Sequence, residues 1–87
     1  MTLLVLNGPN LNLLGTREPD TYGTTTLADI ESDLDEQFSE VAFRFEQENS
    51  EGALIDHLHA AHEDELDGVV FNPGGYTHTS VALRDAV

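Results

Sequence analysis

Three short runs, "LLVL" at 3–6, "VAFRF" at 41–45 and "GVVFN" at 68–72, alternate with stretches whose apolar residues recur every three to four positions. This alternation constrains the chain more than any other feature. Runs of that length suit strands, and a strand–helix–strand repeat closes into a parallel sheet with right-handed crossovers. The first run is continuously apolar and stops at Asn7, Gly8 and Pro9, as a strand covered on both faces does. The second alternates, with Val41, Phe43 and Phe45 on one face. The third is broken by "PGG".

Between the strands, Leu27, Ile30, Leu34, Phe38 and Val41 have helical spacing, with Thr26 and Asp29 placed as a capping pair. The helical period gives way to a strand period near Val41. Ser50 is placed to cap a second helix with an inward stripe of Leu54, Ile55, Leu58 and Ala61, and "SVALRDAV" at 80–87 reads as the start of a third. The expected fold is a single α/β domain over residues 1–87, with helices on both faces of a doubly wound parallel sheet. In the flavodoxin-type order, which begins 2-1-3, strands 1 and 3 are neighbours and ligands bind at their carboxyl ends. The loops "NGPN" at 7–10 and "NPGG" at 72–75 would both sit there.

Composition narrows the partners. Seventeen acidic residues against three basic ones give a net charge of −14, and no lysine is present. Such a surface disfavours nucleic acid and anionic membranes. Self-repulsion is relieved by salt, since the Debye length falls from about 8 Å at physiological ionic strength to about 3 Å at 1 M. The acidity therefore suits a salt-rich cytoplasm. Without cysteine there is no disulfide framework and no thiolate chemistry. No apolar run approaches the roughly 20 residues of a membrane span, and Met1 leads into "TLLVLN" without a basic segment, so the expected location is the cytoplasm.

The connection from Asn7 to Thr25 is about nineteen residues long and reads as a structureless loop of the kind that often serves as a lid. It carries Arg17 and Tyr22 within "GTREPDTYG" at 15–23. A guanidinium beside a phenol stabilises the phenolate and makes tyrosine a competent general base. The alternative is a tyrosine packing its ring under the loop while Arg17 pairs with Glu18 or Asp20. Asn7, Asn10, Asn12 and Asn72 offer neutral donors and acceptors at the crevice, although turn chemistry accounts for Asn7 and Asn12. His78 is placed to donate to an anionic ligand or simply to cap the following helix. The cluster "DHLHAAH" at 56–62 lacks the spacing of a metal motif, and "NGPNLNLLG" at 7–15 lacks that of a phosphate loop.

The segments "LNGPNLNLLGTREPDTYGTTTLADI", "FEQENSEGALIDHLHAA" and "VVFNPGGYTHTSVALRDAV", which together cover most of the chain, closely resemble the type II 3-dehydroquinate dehydratases of the shikimate pathway. The resemblance implies that Tyr22 removes the proton from the carbon beside the substrate ketone, and that Arg17 keeps Tyr22 ionised. It further implies that Asn72, His78 and Asp85 contact the substrate, Asp85 reaching across from a neighbouring subunit, and that Asn10 helps to hold the water that stabilises the enolate. It implies no cofactor and no metal, and a homo-oligomer built as a trimer-based dodecamer. A chain without lysine has no route to the imine chemistry of the unrelated type I enzymes.

Family members run to a domain of ordinary size, so the resemblance makes residues 1–87 the N-terminal part of one, truncated after the third strand. Strands 4 and 5, a final helix, and a histidine with an acidic partner that protonates the leaving hydroxyl are expected beyond Val87. The rival readings are, first, a remnant of the same fold that only binds polyhydroxy acids, or a subunit completed by another chain, and second, a receiver or nucleotide-binding module. The second lacks both a phosphate loop and an acidic cluster after strand 1.

Overall fold

The structure, a computed structural model, describes residues 1–15, 23–77 and 86. The described strands β1 (Thr2–Asn7), β2 (Ala42–Gln47) and β3 (Gly68–Asn72) form one parallel sheet in the order β2-β1-β3. That is the 2-1-3 order expected of a flavodoxin-type sheet. The register is continuous: Thr2 lies opposite Ala42 and Asn7 opposite Gln47, while Leu3 lies opposite Gly68 and Asn7 opposite Asn72. Asn7, Gln47 and Asn72 therefore stand side by side at the carboxyl end of the sheet.

Between β1 and β2 runs helix α1 (Leu27–Gln37), and between β2 and β3 helix α2 (Glu51–Glu63). Helix α1 begins with the expected capping box, in which the Thr26 hydroxyl accepts from Asp29 N at 3.1 Å and Asp29 Oδ2 accepts from Thr26 N at 3.0 Å. These bonds hold the Asp29 carboxyl below its ordinary value of 3.8; the Thr26 backbone N–H contributes most and its side chain next. Helix α2 is capped by Ser50, whose hydroxyl accepts from Ala53 N at 3.4 Å.

The core lies between β1 and α2. Leu4, Leu6, Leu54 and Ala61 are buried together, with Ile55, Leu58, Leu66, Phe71 and Tyr76 packed around them. Two of the expected inward residues of α2, Leu54 and Ala61, are thus at its centre. Alternation along β1 turns Leu3 and Val5 to the opposite face, where a right-handed crossover places α1. The stripe of α1 is shallower than its spacing suggested. Ile30 is 38% and Phe38 45% exposed, and no residue of α1 is buried. Phe38 follows the last helical residue: its N–H still closes a helical bond to Leu34 O at 3.0 Å, but its φ of −126° and ψ of 60° take the chain out of the helix and the side chain off the stripe.

Two further expectations change. The second strand covers Ala42–Gln47 rather than 41–45, because pairing to β1 sets its ends: Ala42 N bonds Met1 O at 2.9 Å and Glu48 N bonds Asn7 O at 3.0 Å. Phe43 and Phe45 share a face as expected, their rings stacked with centroids 5.3 Å apart. The long connection after β1 is not structureless throughout, since Leu11–Leu13 form a 3-10 turn. Most of the expected third helix, residues 80–87, lies outside the described residues; Ala86 is helical. Among the described residues no helix is long and apolar enough to cross a membrane.

Candidate active site

The loops that follow β1 and β3 meet backbone to backbone. Gly8 N donates to Asn72 O at 2.7 Å, which extends the ladder one residue beyond the strands. The approach is so close that a Cβ on Gly8 would lie 2.6 Å from Pro73 O and 3.1 Å from Asn72 O. On the other side of the contact, Gly74 has φ 60°, a left-handed conformation, and a Cβ there would lie 3.3 Å from Pro9 O. Glycine is thus required at 8 for space and at 74 for conformation. The "NGPN" and "NPGG" loops form one unit, as the strand order led one to expect.

Within this unit Asn10 has φ 68° and ψ −3°, the left-handed region that asparagine tolerates better than most residues. It precedes the turn Leu11–Leu13, and its carbonyl accepts from Leu13 N at 3.0 Å. Its exposed side chain makes no capping bond to that turn. Asn72 is also exposed, and its Oδ1 accepts from Gly74 N at 3.1 Å, an Asx turn that shapes the glycine pair. The carbonyl end of Asn72 thus serves the turn, which leaves the NH2 end as the part that can donate to a ligand oxygen.

A third loop, after β2, joins the other two. Asn49 Oδ1 accepts from Asn10 N at 3.0 Å and from Gln47 Nε2 at 3.0 Å. The same Gln47 nitrogen donates to Gly8 O at 3.1 Å, and Tyr76 OH donates to Asn49 O at 3.4 Å. Gln47, Asn49 and Tyr76 were not singled out from the sequence. The strand order held the signal, since β2 also neighbours β1 and its carboxyl end opens on the same side. "EQEN" at 46–49 nevertheless reads as an ordinary polar strand end.

Of the expected site residues, Asn10 and Asn72 are brought to this end of the sheet by the paired loops. Arg17, Tyr22, His78 and Asp85 lie outside the described residues. Asn7 ends β1 and Asn12 lies in the 3-10 turn, in keeping with a backbone role. The histidines of the 56–62 cluster are dispersed: His57 Nε2 lies 3.9 Å from Glu46 Oε2 and 3.7 Å from Glu48 Oε1, while His59 and His62 are exposed. Among the described residues no group of three or more His, Cys, Asp or Glu side chains is arranged to hold a metal ion. A cleft of about 760 Å³, whose walls include Leu58, Leu66, Val69 and Phe71, shares no lining residue with the crevice loops.

What the described part of the site offers chemically is a set of neutral amide donors and acceptors on tightly held backbone. Such groups suit hydroxyls, a carboxylate or an ordered water, and can stabilise developing negative charge without reorganising.

Comparison with known proteins gives this arrangement a context. The family model described as dehydroquinase class II matches residues 1–87. A 3-dehydroquinate dehydratase of Janthinobacterium sp. (strain Marseille) is 56% identical over 87 residues, covering 98% of this chain and 60% of the relative. That of Bacillus pumilus is 61% identical over 87 residues, covering 97% of this chain and 58% of the relative. The crystal structure of a type II dehydroquinase from Butyrivibrio crossotus superposes with a TM-score of 0.92 at 43% identity, covering 99% of this chain and 61% of that one. The chain thus spans about 60% of the length of the relatives it matches.

Proposed function

The chain belongs to the class II dehydroquinase family, and from that premise we propose that the protein is a 3-dehydroquinate dehydratase, which eliminates water from 3-dehydroquinate to give 3-dehydroshikimate. The observation that carries the proposal is the locked pair of loops at the carboxyl ends of β1 and β3, closed by the 2.7 Å bond from Gly8 N to Asn72 O. Loops so fixed hold Asn10 and Asn72 as a preorganised amide surface, in a chain whose relatives bear that enzyme's name.

In the proposed reaction Tyr22, as phenolate, takes the proton from the carbon beside the ketone. Arg17 stabilises the phenolate by charge and so brings the tyrosine toward neutral operation. The electron pair passes to the ketone oxygen as an enolate, stabilised by a water that Asn10 helps to hold. Collapse of the enolate expels the adjacent hydroxyl, which leaves as water once it has gained a proton. Asn72 and His78 bind the substrate, with Asp85 contributed by a neighbouring subunit of a trimer-based dodecamer. No residue within 1–87 is assigned as the acid for the leaving hydroxyl; a histidine with an acidic partner outside this segment is the proposed donor. The chemistry needs no metal or cofactor, takes place in the shikimate pathway, and is assigned to the cytoplasm.

The test is turnover of the intact protein, followed by the ultraviolet absorbance of the conjugated enone product. Tyr22→Phe keeps the ring and removes the base, so ligand binding should persist while kcat collapses. A near-normal rate in Tyr22→Phe would refute the assignment. Binding without turnover in the parent protein would favour a remnant that only holds polyhydroxy acids.

A further inference from the structure

We propose that Asn49 is a positioning residue for the reaction, holding the Asn10 turn against the carboxyl end of the sheet; the role rests on the function proposed above. Three observations carry it. First, Asn10 is one of only two described non-glycine residues with positive φ, at 68°. A left-handed conformation is disfavoured for a residue with a Cβ, so neighbouring structure must select it. The Asn10 side chain makes no capping bond within its own turn.

Second, the bond that reaches this residue from elsewhere comes from Asn49. Its Oδ1 accepts the Asn10 N–H at 3.0 Å across 39 residues of sequence. A backbone N–H is an unambiguous donor, so the facing atom of Asn49 must be its oxygen rather than its nitrogen.

Third, Asn49 is itself held from two sides. Gln47 Nε2 donates to Asn49 Oδ1 at 3.0 Å and to Gly8 O at 3.1 Å, and Tyr76 OH donates to Asn49 O at 3.4 Å. Gln47 closes the β2 ladder opposite Asn7, and Tyr76 follows the "NPGG" loop. Asn49 therefore joins the loops after all three strands. It does so outside the core of Leu4, Leu6, Leu54 and Ala61, so losing its side chain should misplace Asn10 without unfolding the domain.

The intact protein should be made as Asn49→Ala and Asn49→Asp. Alanine removes the acceptor, whereas aspartate keeps an oxygen able to accept from both Asn10 N and Gln47 Nε2. We expect Asn49→Ala to lower kcat roughly tenfold with a smaller change in KM, because the turn is placed to act on the enolate. Asn49→Asp should recover most of that loss. Hydrogen exchange of the Asn10 amide, read by NMR, should accelerate in Asn49→Ala and stay slow in Asn49→Asp. An active parent with Asn49→Ala at the parent rate, or with Asn49→Asp as impaired as Asn49→Ala, would overturn the role. So would an Asn10 amide whose exchange ignores both changes. A parent inactive on 3-dehydroquinate, with an Asn10 amide that responds as expected, would instead overturn the assigned reaction.

Discussion

Replacing Gly8 by alanine asks whether the crevice loops are locked by main-chain contact. The added Cβ would stand 2.6 Å from the Pro73 carbonyl oxygen, 2.7 Å from its carbon and 3.1 Å from Asn72 O. All three are backbone atoms, so no side chain can swing aside. Gly8 is not among the glycines with positive φ, so alanine brings no conformational strain, and stiffening the unfolded chain returns about 0.4–1 kcal/mol. Against this, an extra methyl forced into packed surroundings costs about 1–3 kcal/mol. Weakening the bond from Gly8 N to Asn72 O adds about 0.5–1.5 kcal/mol. The net loss is about 2 kcal/mol, within roughly 0.5–4.

Relief of the clash to an ordinary contact of about 3.5 Å parts the loops by roughly 0.9 Å. The loops that carry Asn10 and Asn72 then lose their fixed spacing, and a misplacement of that size can cost about 10²-fold in rate. Denaturant unfolding and kcat/KM measured on the same preparation check both consequences. Gly52→Ala in α2 is the control, since its Cβ would meet only Ser50 Oγ at 3.8 Å, and a helical glycine-to-alanine change gains about 0.5–1 kcal/mol. A Gly8→Ala protein as stable and as active as its parent would refute the locked-loop reading.

Leu54 is fully buried against Leu4 and Leu6, so Leu54→Ala should cost about 2–5 kcal/mol in a chemical melt, whereas Phe38→Ala at a half-exposed site should cost far less. Thr26→Ala removes the cap of α1 and should cost about 1 kcal/mol at neutral pH. Because the folded-state pKa of Asp29 is depressed, its contribution is complete above its ordinary value of 3.8 and fades as pH falls through the lowered folded value. The stability gap between Asp29→Ala, which removes the carboxylate that accepts from Thr26 N, and its parent should therefore narrow on strong acidification, and an unchanged gap would refute the carboxylate half of the capping box. Thermal midpoints should rise with potassium chloride up to molar concentrations, since screening relieves repulsion behind a net charge of −14. A flat or falling midpoint would leave the acidity without that role.

Local chemistry was legible along the chain wherever neighbouring residues decide the outcome. Thr26 with Asp29, and Ser50 alone, mark helix starts because each cap satisfies an N–H three residues away. Gly68–Asn72 was bounded correctly because glycine and proline punctuate it, and the alternation of strand and helix sufficed for a parallel sheet. The end of β2 was not legible, since Gln47 belongs to the strand only by pairing with Asn7 of β1. Nor was the exposure of Phe38, which has the right spacing for a stripe that the helix leaves at Gln37.

The candidate site divides in the same way. Sequence by itself determined which amides the loops carry, and the flavodoxin-type order adopted for its strand–helix alternation placed Asn10 and Asn72 at one end, because parallel strands send the loops that follow them out of the same edge of the sheet. Tertiary structure alone decided that Gly8 must lack a side chain and that Asn49 is the partner of Asn10. These depend on atoms 2.6 and 3.0 Å apart that belong to residues 65 and 39 positions away along the chain, and no local pattern encodes such a distance.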